Sequence, residues 1–151
     1  MPKTIISDTS CLIILLNIGE LQLLQKVYGQ VFTTVEIAQE FGEILPEWIV
    51  IKGAADIYKQ QLLELQIDKG ESSAIALALE MSNSTLILDD NKARKIANQL
   101  GLHVTGTIGI IVRAKLNGII PSIRPILGKI RQTNFRLTVE IETLALKAAQ
   151  E

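Results

Sequence analysis

The sequence predicts an α/β fold of three layers, with helices on both faces of a mainly parallel central sheet. Short apolar segments typical of strands alternate with helical segments along all 151 residues. Hydrophobic residues make up 48% of the chain, which suits parallel strands that are buried on both faces. This length matches one domain with a sizeable core, so we expect a single domain over residues 1–151.

Five segments have the composition and length of strands, and helical segments follow each of them. Glycines close several of the helices, because Gly commonly follows the last helical turn. Segment 54–66 is amphipathic, with Ile57, Leu62 and Leu65 on one side. The predicted strands cover residues 3–7, 31–34, 48–52, 85–88 and 102–105, and the predicted helical segments cover residues 10–19, 20–29, 34–42, 54–66, 72–81, 91–101, 107–118, 121–132 and 137–150.

Charge is distributed unevenly along the chain. Residues 1–90 contain five Lys against thirteen Asp or Glu, whereas residues 91–136 contain nine Lys or Arg and no acid. This asymmetry indicates a polyanionic partner beside an acidic centre, and the alternative is a set of solvated helix faces.

The composition also bears on location and on cysteine chemistry. No apolar run reaches the ~18 residues that span a membrane, and the amino end lacks the pattern of a secretory signal, so we expect a cytoplasmic protein. The single Cys11 has Leu12 and Ile13 beside it, which predicts a core residue and not a catalytic thiol. The single His103 is interpreted as structural or as a surface contact.

Acidic residues fall where the predicted strands and helices meet. Asp8 ends the first strand, and Asp89 and Asp90 end the fourth; in parallel sheets the functional crevice lies outside these carboxyl ends. Glu71 is in the first turn of a helix, while Glu36 and Glu40 share one helix face.

Three or four carboxylates in one place raise each other's pKa unless a cation neutralises them. Such oxygen ligands suit Mg²⁺ or Mn²⁺, which activate water and stabilise the charge on a phosphodiester that is being hydrolysed. We therefore expect at least one of Asp89 and Asp90 to bind metal, with the other available to cap helix 91–101.

Four motifs resemble the PIN domain family, which includes the VapC-type toxin ribonucleases. They are IISDTSCLI, TVEIAQEF, DKGESSAIALA and LILDDNKARKIANQLGLHVTGTIGII, and they span nearly the whole chain. The last two resemble a PIN subfamily of unknown function. The resemblance implies a PIN-like fold and hydrolysis of RNA with Mg²⁺ or Mn²⁺. It also implies that the chain forms a homodimer and is inhibited by an antitoxin protein.

The resemblance also assigns site residues. Asp8 matches the first acid of the family, and Ser10 matches the hydroxyl that supports it. Glu40 matches the second acid better than Glu36, and Glu71 matches the third. For the fourth acid, Asp90 fits the Thr-x-Asp spacing with Leu88 in the Thr position, and Asp89 is a near alternative.

Other polar residues are assigned to support or binding. Thr107 is assigned a supporting role at the site, with an N-cap as the preferred interpretation and a contact to phosphate or water as the alternative. Arg94 and Lys95 either pair with the acids or contact phosphate, and Arg113 and Lys115 are candidates for nucleic-acid binding. Aromatic residues are only 4% of the chain, so contact with the RNA backbone is favoured over readout of bases.

The sequence thus predicts a metal-dependent endoribonuclease, either a toxin of a toxin–antitoxin pair or a relative. One alternative is a non-catalytic nucleic-acid-binding module on the same scaffold. Another is a phosphatase of the haloacid dehalogenase type, which is disfavoured because Ser10 stands where that family has its second Asp.

Overall fold

The computed structural model describes residues 3–151 and contains a five-stranded sheet in which all strands are parallel. The order of the strands across the sheet is β3-β2-β1-β4-β5. The strands are β1 (Thr4–Ser7), β2 (Val31–Thr33), β3 (Ile49–Ile51), β4 (Ser84–Ile87) and β5 (His103–Thr105).

Nine helices in the described part of the chain flank this sheet and give the three-layer α/β arrangement that the sequence predicts. Each lies within or close to a predicted helical segment. They are α1 (Thr9–Asn17), α2 (Gln22–Tyr28), α3 (Val35–Phe41), α4 (Ile57–Leu63), α5 (Lys69–Glu80), α6 (Asn91–Gln99), α7 (Thr107–Leu116), α8 (Arg124–Arg131) and α9 (Val139–Ala148).

The central strand β1 lies between β2 and β4, and this position determines where the acids meet. Ser7, the last residue of β1, is in register with Ile87, the last residue of β4. The chain moves outward from β1 through β2 to β3 and then crosses back to β4, so the direction of winding reverses between β1 and β4. In open α/β sheets the functional crevice forms at such a reversal.

The core is built around the two central strands. Ile5 and Ile6 of β1 and Leu86 and Ile87 of β4 are at most 1% exposed. Cys11 is fully buried in the same cluster, which confirms its prediction as a core residue. A well-packed centre of this kind fixes the strand ends, and therefore the acids that follow them.

Helix α4 differs from its prediction in both length and orientation. It covers only Ile57–Leu63, and the side with Ile57, Leu62 and Leu65 faces solvent. The buried residue of α4 is Gln60, whose Nε2 donates a hydrogen bond to Glu36 of α3. A satisfied polar contact, together with Leu63 packed against the core, thus holds α4 in place of the apolar side that the pattern indicated.

The amino ends of two helices near the acids also differ from prediction, α5 in its first residue and α7 in its cap. Helix α5 begins at Lys69, three residues earlier than expected, because the side chain of Asp68 accepts a hydrogen bond from the Glu71 N–H and caps it. The N-cap of α7 is Gly106, so the preferred assignment of Thr107 as an N-cap is wrong.

Among residues 3–151, no single helix is long and apolar enough to cross a membrane, and α1 with α2 reaches that length only as a pair bent by 118°.

A buried chain of hydrogen bonds joins α3 to α5. The Ile37 N–H donates to the Thr34 hydroxyl, which lies 2.6 Å from the Ser73 hydroxyl; the Ser73 hydroxyl in turn donates to the Gly70 carbonyl. Thr34 and Ser73 are at most 1% exposed. This chain holds together the two helices that carry Glu40 and Glu71.

We expect the substitution Thr34→Val to lower the free energy of unfolding by about 1–3 kcal/mol, because it leaves the buried Ile37 N–H without its cap and removes the hydrogen bond between Thr34 and Ser73. Urea unfolding followed by circular dichroism measures the change. Thr143→Val is the matched control, since the Thr143 hydroxyl bonds within an exposed turn of α9 and its loss should cost less than about 0.5 kcal/mol. Equal losses for the two variants would contradict the role given to Thr34.

Candidate functional site

Two connected pockets lie at the carboxyl edge of the sheet. The larger is an open cleft of about 1270 Å³, and Asp68, Glu71, Asp89 and Asp90 line it. The smaller has a volume of about 140 Å³ and is lined by Asp8, Glu40, Asp68 and Glu71, together with three residues of α1. Asp68 and Glu71 contribute to both pockets, and so do Ser10 and Ile13.

Asp8 joins the ends of the two central strands. Its Oδ1 accepts a hydrogen bond of 2.9 Å from the Cys11 N–H and caps α1, and its Oδ2 accepts one of 3.0 Å from the Asp89 N–H. The residue is only 3% exposed. Burial and the charge of Asp89 raise the pKa of Asp8 to about 8, while the two N–H donors act in the opposite direction.

Asp89 is bound to the start of α7. Its Oδ1 accepts a hydrogen bond from the Thr107 N–H at 2.9 Å, and its Oδ2 accepts one from the Thr107 hydroxyl at 2.5 Å. Thr107 therefore positions a carboxylate at the site, which is a supporting role different from the cap that we expected.

Of the two adjacent acids Asp89 and Asp90, it is Asp90 that caps a helix. Its Oδ2 accepts a hydrogen bond of 2.9 Å from the Ala93 N–H at the start of α6. The charge of Asp90 also contributes to raising the pKa of Glu71. The charges of the two adjacent acids thus affect the pKa values of different carboxyl groups: Asp89 affects Asp8, and Asp90 affects Glu71.

Glu71 is half-buried in the first turn of α5. Burial, followed by the charges of Asp68 and Asp90, raises the pKa of Glu71 to about 7. Asp68 did not appear among the predicted site residues, although it lines both pockets. The spacing Asp-x-x-Glu over residues 68–71 is typical of a capping box, so the sequence does carry a signal that Asp68 begins the helix of Glu71 and lies beside it.

Glu40 enters the smaller pocket from α3. Burial and the charge of Asp68 raise the pKa of Glu40. A Cβ atom on Gly70 would overlap the Glu40 Oε1, so glycine at position 70 lets this carboxylate lie directly against the start of α5. Glu36, one turn earlier on α3, accepts a hydrogen bond from Gln60 and lines neither pocket.

The predicted nucleic-acid-binding residues occupy different places. Arg94 lines the larger cleft, where its Nη1 donates to the Leu88 carbonyl at 3.0 Å, and the exposed Lys95 follows it. Arg113 is exposed, and Lys115 donates to the Ala149 carbonyl at 2.8 Å. Arg113 and Lys115 lie near the carboxyl end of α7, which is about 9–12 Å along the helix axis from Thr107.

Gly106 allows Arg94 and Asp89 to lie close together. A Cβ atom at position 106 would lie 2.7 Å from the Arg94 Nη1 and 2.9 Å from the Asp89 Oδ1. Both side chains would have to shift to make room for this atom, so glycine at position 106 allows their present hydrogen bonds.

The carboxylates are not gathered into one compact cluster. Among residues 3–151, no three His, Cys, Asp or Glu side chains form a ready-made metal site. The hydrogen bonds of Asp8, Asp89 and Asp90 hold these side chains against the ends of helices. The donor chemistry nevertheless fits Mg²⁺ or Mn²⁺, because Mg²⁺ commonly keeps several waters and uses one or two carboxylates together with substrate phosphate.

We expect the free energy of unfolding of the metal-free protein to fall as the pH rises from about 4 to about 8. Asp8 has a pKa raised from 3.8 to about 8 in the folded state, so the favourable contribution of its protonated form is full below about pH 4 and is lost above about pH 8. Urea unfolding in EDTA measures this slope, and Asp8→Asn should flatten it. A slope that is the same in the variant would contradict this assignment.

Comparison with known proteins identifies the family of this chain. The family model DUF3368, described as a PIN domain, matches residues 4–151, which include all the carboxylates of both pockets. No curated protein and no solved structure matches the chain. PIN domains are generally nucleases, and an acidic cleft at the strand ends is in keeping with such chemistry. Because the match covers nearly the whole sequence, the chain belongs to the PIN domain family.

Proposed function

We propose that this protein is a metal-dependent endoribonuclease that hydrolyses RNA phosphodiester bonds. The observation that carries the proposal is the set of six carboxylates around two connected pockets, of which Asp8 is buried with its pKa raised to about 8. Placing several acids together costs stability, and such an arrangement is characteristic of functional sites. The other carboxylates are Glu40, Asp68, Glu71, Asp89 and Asp90.

In this proposal Asp8 and Asp89 would hold Mg²⁺ or Mn²⁺ at the strand ends, and Asp90 and Glu40 would contribute. The ion would supply positive charge to the phosphodiester and would favour ionisation of water. Glu71 is suited to accept a proton from the attacking water, because its pKa of about 7 lies near physiological pH. Ser10 lines both pockets and is exposed to a ligand there.

RNA is proposed as the substrate because the basic segment 91–136 follows the acids directly in the chain and contributes to the cleft. Few aromatic side chains are present, which favours contact with the backbone over recognition of bases.

We extend the proposal to the biological setting suggested by the sequence. The protein would be a cytoplasmic toxin, or a relative of one, that an antitoxin protein silences. A homodimer is supported by apolar side chains that remain exposed on helices near both ends of the chain: Ile13 and Leu16 on α1, and Val139 and Leu144 on α9.

A second candidate is a nucleic-acid-binding module without catalysis. It is supported by the hydrogen bonds that occupy Asp8, Asp89 and Asp90, since each of these carboxylates also caps or ties a helix start. The haloacid dehalogenase alternative is not retained, because the chain belongs to a different family.

We expect the purified protein to cut end-labelled RNA with Mn²⁺ or Mg²⁺ and not in EDTA, and Asp8→Asn and Asp90→Asn to abolish cutting. Glu71→Gln should lower the rate about 10²- to 10⁴-fold, because it removes the proton acceptor. RNA that is bound tightly but never cut, with any metal, would favour the binding module instead.

A matched pair of variants on α3 tests the placement of the second acid. Glu40→Gln should reduce cutting at least about 10-fold, because Glu40 enters the smaller pocket. Glu36→Gln makes the same chemical change one turn away, outside both pockets, and should leave the rate within about twofold. Equal rates for the two variants would remove Glu40 from the site.

A further inference from the structure

The segment between α8 and α9 forms part of the larger cleft. Asn134, Phe135, Arg136 and Thr138 line it, together with Ile141 of α9. The carboxylates of this cleft come from other parts of the fold, namely the start of α5 and the residues that follow β4. Arg136 is exposed and is one of two cationic residues that line the cleft, the other being Arg94.

Contacts on both sides of Arg136 fix the position of its backbone. The Thr133 hydroxyl donates to the Ile130 carbonyl at 2.7 Å and accepts from the Phe135 N–H at 3.1 Å. Phe135 and Leu137 pack against the core. Arg136 is therefore held between two anchored residues, and its long side chain is the part that remains free to meet a ligand.

The end of the chain holds α9 in place as well. The Glu151 carboxylate accepts hydrogen bonds from the Ser122 hydroxyl and from the Ile123 N–H just before α8. Lys115 of α7 donates to the Ala149 carbonyl. These contacts fix the far end of α9, so the cleft wall that precedes this helix is attached to the body of the protein at both ends.

Most neighbouring cations are already paired. Arg124 pairs with Glu151, Lys129 with Glu20 and Arg131 with Glu142. Arg94 donates to the Leu88 carbonyl. Among the described residues, Arg136 makes no ion pair within 4.0 Å and no hydrogen bond through its guanidinium, although four carboxylates line the same cleft.

We propose that Arg136 binds a phosphate of the RNA strand next to the one that is cleaved, with Asn134 as a second donor on the same wall. The inference rests on the proposed function. The carboxylates repel a polyanion, so a strand that crosses the cleft needs a cation away from them. A guanidinium presents two parallel N–H donors to one phosphate, and Arg136 has no ion pair to break before it binds one. Arg136 is thus a substrate-binding residue and takes no part in proton transfer.

The test compares Arg136→Gln with Arg131→Gln, which makes the same charge change on the surface outside the cleft. Binding of fluorescent single-stranded RNA is measured by anisotropy in EDTA, and cleavage with Mn²⁺ is measured in parallel. For Arg136→Gln we expect Kd and KM to rise roughly 5- to 10-fold with kcat nearly unchanged, and the slope of log Kd against log salt to shrink by about 0.7. Arg136→Lys should recover part of the affinity, because lysine keeps the charge.

The outcomes separate the two proposals. If the wild-type protein binds or cleaves RNA and Arg136→Gln behaves like Arg131→Gln in Kd, KM and salt slope, this inference is overturned and the proposed function stands. If kcat falls while KM and Kd are unchanged, Arg136 acts in the chemical step and the binding role is wrong. If the wild-type protein neither binds nor cleaves RNA, the proposed function and this inference fail together.

Discussion

The carboxylate of Asp8 is the group on which the rest of the site depends. One of its oxygens accepts the N–H of Cys11 and starts α1, and the other accepts the N–H of Asp89 after β4. A single buried side chain therefore joins two strands and a helix where the winding of the sheet reverses. The backbone ladder between β1 and β4 ends at Ile87, and in the described chain the Asp8 carboxylate is the side chain that extends this connection to Asp89.

The same arrangement concentrates negative charge. Burial is the largest cause of the raised pKa values of Asp8, Glu40 and Glu71. The charge of Asp89 adds to the rise for Asp8, that of Asp90 adds to the rise for Glu71, and that of Asp68 adds to the rise for both glutamates. Four of the carboxylates also hold the start of a helix: Asp8, Asp68, Asp89 and Asp90. Structural and chemical roles are thus combined in the same side chains, and a divalent cation would relieve the repulsion that the fold maintains.

The strands, the helices and most of the acidic residues of the site could be predicted from the sequence. The spacing of apolar residues in strands and helices, and the position of acids after strands, are local signals. The proximity of Asp8 and Asp89 follows from parallel strands. The predictions that were wrong depend on tertiary contacts. Thr107 supports Asp89 and is not an N-cap, and α4 presents its apolar side to solvent. Arg136 is 46 residues from Asp90 in sequence, so only the packing of α9 reveals that both line one cleft.

The most direct test of the central claim, that these carboxylates form a divalent-cation site, is calorimetric titration of the protein with Mn²⁺ at pH 7 in buffers of different ionisation enthalpy. We predict saturable binding with net release of protons, because the proposed ligand Asp8 has a pKa raised to about 8 and must ionise to bind the metal, and because a nearby cation also favours ionisation of Glu71, whose pKa is raised to about 7. Asp8→Asn should weaken binding and reduce the proton release. Absence of saturable binding to the wild-type protein, or identical binding to Asp8→Asn, would contradict the account.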